Sequence, residues 1–234
     1  MAVEICSAVH RTPTSSPVLR SQDDCKLQND IPSLLKWAET WQMRFNSKKC
    51  HILSISHQCN KSSPVYYLGT DVLSNASSHT YLGITVSSDL KWHEHISSIC
   101  LKATRTLNFV RHNTYCCSQE AKNLAYLSLV RPNMEYAAAA WDPHMAKDIQ
   151  QLERVQRCAA RFVKKDYRHT TSVTGLLAEL GWLPLFERRK HSRLTVFYKA
   201  FNNLSAISLD HLSVSSRHTR ASNENKFMSL LVEY

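Results

Sequence analysis

Glycine is scarce. Only 4 of the 234 residues are Gly, well under the share of about 7% usual in globular proteins. Loops that cradle phosphates use Gly for positive φ and for close backbone approach, so a Gly-rich nucleotide-binding fold is excluded. No run approaches the roughly 18 apolar residues a membrane span needs. The segment from Met1 to Arg20 lacks the basic-then-apolar order of a secretory leader. The eight cysteines include no Cys-x-x-Cys pair. They are expected to be reduced thiols, in a protein of the cytoplasm or nucleus rather than a secreted one. Negative charge is also short: 19 Asp and Glu face 29 Lys and Arg, a net charge of +10 with His neutral. Such a surface favours polyanionic partners. What remains is ordinary, with 43% apolar and 21% charged residues, which argues for a folded core and against wholesale disorder.

Periodicity divides the chain near residue 89. Pro13, Ser15, Ser16 and Pro17 break any pattern early on, so residues 1–22 are expected as a flexible arm. Leu27, Ile31, Leu34, Leu35, Ala38 and Trp41 share one helical face, with Pro32 as a possible start of that helix. Residues 51–56, Tyr66 to Leu68 and Tyr81 to Val86 read as short strands of a small antiparallel sheet. Beyond Asp89 the period is helical: Ile96, Ile99, Ala103, Leu107 and Val110 recur every three or four residues. Ser118 is expected to cap the next helix, and Asp142-Pro143 to open a long one to about Lys165. Ser172 and Pro184 open two more, and residues 206–234 read as a loose tail. The fold class expected is mainly α with a small antiparallel β element.

The positive charge is concentrated. Between Arg154 and Lys199 stand eleven basic residues against three acidic ones, +8 of the chain's +10. Arg154, Arg157, Arg161, Lys164, Lys165 and Arg168 step by three or four, which places them within an arc of roughly 100° on a helix. Arg188, Arg189, Lys190 and Arg193 follow on the last helix. Like charges at this spacing repel, and a polyanion lying along them turns that repulsion into attraction. These ten residues are the expected nucleic-acid-binding set. A solvated basic face without a partner and a membrane-surface helix are the competing readings, but the neighbouring Ala159, Phe162 and Val163 are better placed in a core than in lipid.

A series of motifs now stands in order. Trp37, Trp41, Met43, Phe45, Asn46, Lys49 and Cys50 form W-x-x-x-W-x-M-x-F-N-x-x-K-C. Tyr81-Leu82-Gly83-Ile84 and Ser87-Ser88-Asp89-Leu90-Lys91-Trp92 follow, with His95-Ile96. Then come Leu129-Val130-Arg131-Pro132, Glu135-Tyr136, Trp141-Asp142-Pro143-His144, Leu152-Glu153, Ala159-Ala160-Arg161-Phe162, Leu180-Gly181-Trp182 and Glu187-Arg188-Arg189. Together these resemble the C-terminal part of the reverse transcriptase of non-LTR (LINE-type, jockey-like) retrotransposons, over about residues 21–205. Between the expected arm over 1–22 and the tail over 206–234, the resemblance implies a palm remnant over 23–88 and a helical thumb-like domain over 89–205. It also implies that Lys49 and Asn46 belong to the late palm motif, with Lys49 beside the leaving pyrophosphate. Tyr81, Leu82 and Gly83 would form the primer grip, and the helices after Asp89 would lie along a template–primer duplex.

One departure governs the expected activity. The family carries an aromatic-Ala-Asp-Asp hairpin whose carboxylates hold two Mg²⁺ ions, and this sequence has none. Asp23-Asp24 is flanked by Ser21-Gln22 and Cys25-Lys26 rather than by apolar strand, and reads as an acidic pair near a helix start. No cofactor or metal is therefore expected in this chain, although the full-length family enzyme would use Mg²⁺. The chain reads as a truncated reading frame that binds nucleic acid through phosphates but does not polymerise. The absent palm and fingers would be a second partner. The alternatives are a helical interaction module docking an acidic protein, or an inert retroelement relic. Cys50, His51, His57 and Cys59 do not make a zinc set, because His51 and His57 stand at opposite ends of one strand. His93-Glu94-His95 lacks the H-E-x-x-H spacing of a zinc protease. The five tryptophans are expected as core anchors.

Overall fold

The computed structural model describes residues 2–3, 17–55, 65–207, 213–214 and 227–228, with side chains over 28–55 and 65–207. Strand β1 (Ala2–Val3) pairs in parallel with β2 (Arg44–Phe45) across helix α1 (Pro17–Thr40). A 3₁₀ turn over Ser47–Lys49 leads to β3 (His51–Leu53). Strands β4 (Tyr67–Leu68) and β5 (Asp71–Val72) make a tight antiparallel pair. Strand β6 (Ser74–Ala76) returns parallel to β3, with His51 opposite Ser74 and Leu53 opposite Ala76. Strands β7 (Ser78–Tyr81) and β8 (Ile84–Ser87) form an antiparallel hairpin.

From there the chain is helical: α2 (His93–Asn113), α3 (Gln119–Ala125), a π turn over Tyr126–Val130, α4 (Arg131–Glu135) and α5 (Ala138–Trp141). Helices α6 (Ala146–Lys164), α7 (Val173–Glu179) and α8 (Leu185–Phe201) complete the bundle. Strands β9 (Ser213–Val214) and β10 (Phe227–Met228) pair within the last residues. The fold is mainly α with a small β element, as the periodicity predicts. The β element differs in detail. Among the described residues it is five separate two-stranded ladders, two of them parallel, rather than one antiparallel sheet. The middle of the expected strand Tyr81 to Val86 is the turn Leu82-Gly83.

Three expectations about helix ends are corrected. Helix α1 does not begin at Pro32 but runs through it from Pro17, at the loss of one i→i−4 bond. The helix therefore reaches into the expected arm and sets Asp23-Asp24 inside α1 rather than at its start. Asp142 is not an N-cap: α6 begins at Ala146, and the Asp142 carboxylate faces arginines of α8 instead. Two caps are where the sequence puts them. Ser118 Oγ accepts from Ala121 N at the start of α3, and Ser172 Oγ accepts from Gly175 N at the start of α7.

Two cores form. The larger one joins Ile96, Ala103 and Leu107 of α2, Met134 of α4, Trp141 of α5, Leu152 and Phe162 of α6, and Trp182. Each fully buried aliphatic or aromatic side chain contributes about 1.5–3 kcal/mol. Tyr126 and Trp182 stack at 4.1 Å between centroids, and both Trp indoles are satisfied, Trp182 Nε1 by Asn123 Oδ1 and Trp141 Nε1 by Tyr136 O. The smaller core is Ile31, Cys50, Tyr66 and Leu68 under α1. Ile84 of the hairpin packs on the larger core. Trp141 and Trp182 are core anchors as expected; Trp37 of α1 and Trp41 just beyond its end are not, lying 47% and 66% exposed.

Candidate nucleic-acid interface

The hairpin over Tyr81, Leu82 and Gly83 is built by backbone chirality. Leu82 has φ 47° and Gly83 φ 81°, and left-handed geometry at both central residues is what a two-residue hairpin turn matching the strand twist requires. Leu82 is the non-Gly residue that bears this strain, and its side chain stands at the tip, 69% exposed. The tip is anchored from below: Tyr136 Oη donates to Leu82 O at 3.1 Å. A Cβ on Gly83 would lie 3.5 Å from the Tyr136 ring, in ordinary contact. Just past the turn, in β8, Thr85 N donates to Nδ1 of the buried His95 at 3.2 Å. Burial holds the His95 pKa below its ordinary value, which preserves the neutral ring that this acceptor role needs. Hairpin, α2 and α4 thus enclose a cleft of about 550 Å³ whose lining includes Gly83, His95, Lys102, Asn133 and Tyr136.

The late palm residues occupy a separate turn. Asn46 is the N-cap of the 3₁₀ turn, its Oδ1 accepting from Lys48 N at 3.1 Å. Lys49 is exposed at the end of that turn, next to the buried Cys50. His51 Nδ1 lies 2.8 Å from Ser74 Oγ, while His57 and Cys59 of the rejected metal set fall outside the described residues.

Helix α6 presents the basic stripe. Leu152, Val155, Ala159, Ala160, Phe162 and Val163 face the core, and Arg154 and Arg157 face solvent. Among the described residues no carboxylate pairs with either arginine. The expected stripe is shorter than the spacing predicts: α6 ends at Lys164, so Lys165 and Arg168 lie beyond the helix; the other cations of the set are partly engaged. Arg161 Nη1 donates to Arg168 O at 2.9 Å, and Lys164 pairs with Glu179 at 2.7 Å. Lys165, at φ 53°, ends the helix and lies over the Tyr115 ring. Arg168 grips Asp166 through both Nε and Nη2, which holds that carboxyl well below the usual carboxylate range.

The α8 cations are placed differently. Arg188 donates to both oxygens of Glu135, to which Arg131 also pairs at 3.6 Å. Arg189 is 1% exposed, with Nε bonded to Asp142 Oδ1 at 2.7 Å and with Nη1 and Nη2 buried without a hydrogen-bond partner. Arg193 takes the other Asp142 oxygen at 2.9 Å. Lys190 is exposed. One α6 side chain that sequence reasoning left without a role holds α8 in place. Glu153, buried in α6, accepts from Leu185 N and Phe186 N at the α8 N-terminus, at 3.3 and 2.8 Å.

These features define a mainly helical chain with a small basic face on α6 and a strained, exposed hairpin. No family model matches the sequence, and no solved structure matches it. Over 73 residues, 31% of the chain, it is 30% identical to the RNA-directed DNA polymerase from mobile element jockey of Drosophila melanogaster. The match spans 8% of that protein's length. The chain is thus similar, over under a third of its residues, to part of a retrotransposon reverse transcriptase. No described helix is long and apolar enough to cross a membrane.

Proposed function

We propose that this chain is the primer-grip and thumb part of a LINE-type reverse transcriptase. It holds a template–primer duplex, RNA–DNA hybrid or DNA, by its phosphates. The observation that carries the reading is the solvent-facing pair Arg154 and Arg157 on α6, which no described carboxylate engages. Two guanidinium groups about one helical turn apart, with no described carboxylate on either, can each take a phosphate oxygen, and such contacts position a duplex without reading its sequence. The jockey similarity supports the polymerase origin.

Catalysis is not part of the proposal. Four buried or half-buried carboxylates of the helical body are already engaged: Asp142 and Glu135 by arginines, Glu153 by backbone N–H groups, Asp148 by His93 at 2.7 Å. Among the described residues no three His, Cys, Asp or Glu side chains converge. This donor set does not fit the Mg²⁺ pair that polymerisation uses, and no step is derived through a metal. The test is binding of the full chain to a labelled RNA–DNA hybrid across a salt series, with Mg²⁺ and nucleotides in a parallel arm. Steep salt dependence without primer extension is the expected result. Absence of binding by folded protein at low salt would remove the nucleic-acid reading, and primer extension would overturn the non-catalytic one.

A further inference from the structure

Three cations share two aromatic rings where α2, α3 and the end of α6 meet. Lys122 of α3 is 1% exposed, an unusual place for an ammonium. Its Nζ lies 5.9 Å from the centroid of the Tyr115 ring and 5.4 Å from that of Phe162. The Lys165 Nζ lies 5.9 Å from the same Tyr115 ring. The Arg111 guanidinium lies 5.7 Å from Phe162, on which it and Lys122 both rest. Arg111 Nη2 donates to Cys158 O at 2.9 Å, and its Nε is buried with no hydrogen-bond partner.

Nothing described balances this charge. Among the described residues no carboxylate forms an ion pair with Arg111, Lys122 or Lys165. The two ring faces offer only the weak attraction of a quadrupole for a cation. Burial first, and the neighbouring Lys165 second, push the Lys122 pKa down. Lys165 is exposed, and its left-handed backbone is fixed by its N–H bonding to Arg161 O and Phe162 O, which sets where its side chain starts. A buried ammonium beside a second one costs free energy that an anion between them would offset.

We propose that Arg111, Lys122 and Lys165 form a seat for one phosphoryl group, lodged between the two ammonium groups and reached past the exposed Tyr115. Phosphate chemistry fits better than a carboxylate because several tetrahedrally disposed oxygens meet three donors that approach from different elements. The group is either a phosphodiester of a bound duplex or a free phosphate ester, and the seat stands whether or not the duplex reading of α6 does.

Thermal unfolding of the full chain tests it, in low-millimolar inorganic phosphate against chloride at matched ionic strength. Phosphate at several times its Kd should raise Tm by about 2–4 °C beyond chloride. Lys122→Met should lose that rise and, in chloride alone, melt no lower than the parent chain, since it removes an uncompensated buried charge. Lys165→Asn should lose it too, with a residue that tolerates the left-handed backbone, and it carries the test alone if the Lys122 variant does not fold. An equal phosphate effect in all three chains, or none beyond chloride, overturns the seat. Hybrid titrations of the same variants then name the source. A several-fold weaker affinity in both variants assigns the seat to the duplex backbone. Unchanged affinity alongside a lost phosphate effect assigns it to a free phosphate ester. A chain that shows the phosphate effect but binds no hybrid retains the seat while the α6 reading fails.

Discussion

Helices α6 and α8 carry similar densities of positive charge and use it in opposite ways. On α6, Arg154 and Arg157 project into solvent with no described carboxylate to meet them. On α8, Arg188, Arg189 and Arg193 are tied to Glu135 and Asp142 and fasten the helix to α4 and α5. The difference does not lie in the helices themselves. It lies in two carboxylates some fifty residues upstream, placed by the α4–α5 turn where α8 docks. A cluster of arginines is thus an interface or a clamp according to what a distant segment places opposite it.

The largest effect should come from the clamp. Arg189→Ala leaves Asp142 with a single, largely exposed partner and removes a guanidinium packed to 1% exposure. Breaking a buried pair from one side costs about 3–5 kcal/mol. Chemical denaturation should show a loss of that order, while the folded fraction binds hybrid as tightly as the parent chain. A loss of affinity per folded molecule with stability unchanged would break the comparison by moving Arg189 to the binding side. Glu153→Ala should come next. It strips the α8 N-terminus of acceptors for Leu185 N and Phe186 N in a buried setting, a loss of about 1–3 kcal/mol. A stability change under about half a kcal/mol would show that α8 is capped in some other way.

The division between the helices also marks how far the sequence could be read. Helical periodicity placed the core face of α6 and the caps at Ser118 and Ser172, because those signals are local and the chain there folds as its period dictates. The hairpin at Leu82-Gly83 was legible as a motif, but its anchor, Tyr136 donating to Leu82 O, spans 54 positions and leaves no local trace. Asp142-Pro143 misled for the converse reason. Locally it is a good helix start, yet the tertiary pairing with Arg189 and Arg193 recruits the Asp142 carboxylate and delays α6 to Ala146. The basic set was found by counting, and counting could not separate Arg154 from Arg189. Lys122 was missed altogether, since a single Lys amid Glu120, Ala121 and Asn123 carries no signal until α2 and α6 close over it.

On α6 the expected changes are in binding and not in stability. Arg154→Ala with Arg157→Ala should leave the denaturation midpoint within about half a kcal/mol of the parent, as exposed positions do. It should weaken hybrid binding to a similar degree for every sequence and reduce the salt slope by up to about two units. An unchanged slope would place the duplex on another face of the molecule.

The smallest change sharpens the contrast most. Lys164 belongs by spacing to the α6 stripe, yet it is paired with the largely exposed Glu179 of α7, so it behaves like an α8 residue on the α6 face. A partly exposed pair of this kind is worth only about 0.2–1 kcal/mol, screened further by salt. Glu179→Gln keeps the size of the side chain and releases the ammonium. Stability should fall by no more than that amount, while hybrid affinity at low salt should rise a few-fold and the salt slope should steepen by up to about one unit. If the freed Lys164 leaves both quantities where they were, the duplex does not run along this end of α6. The footprint then stops short of the last helical turn, at Arg154 and Arg157.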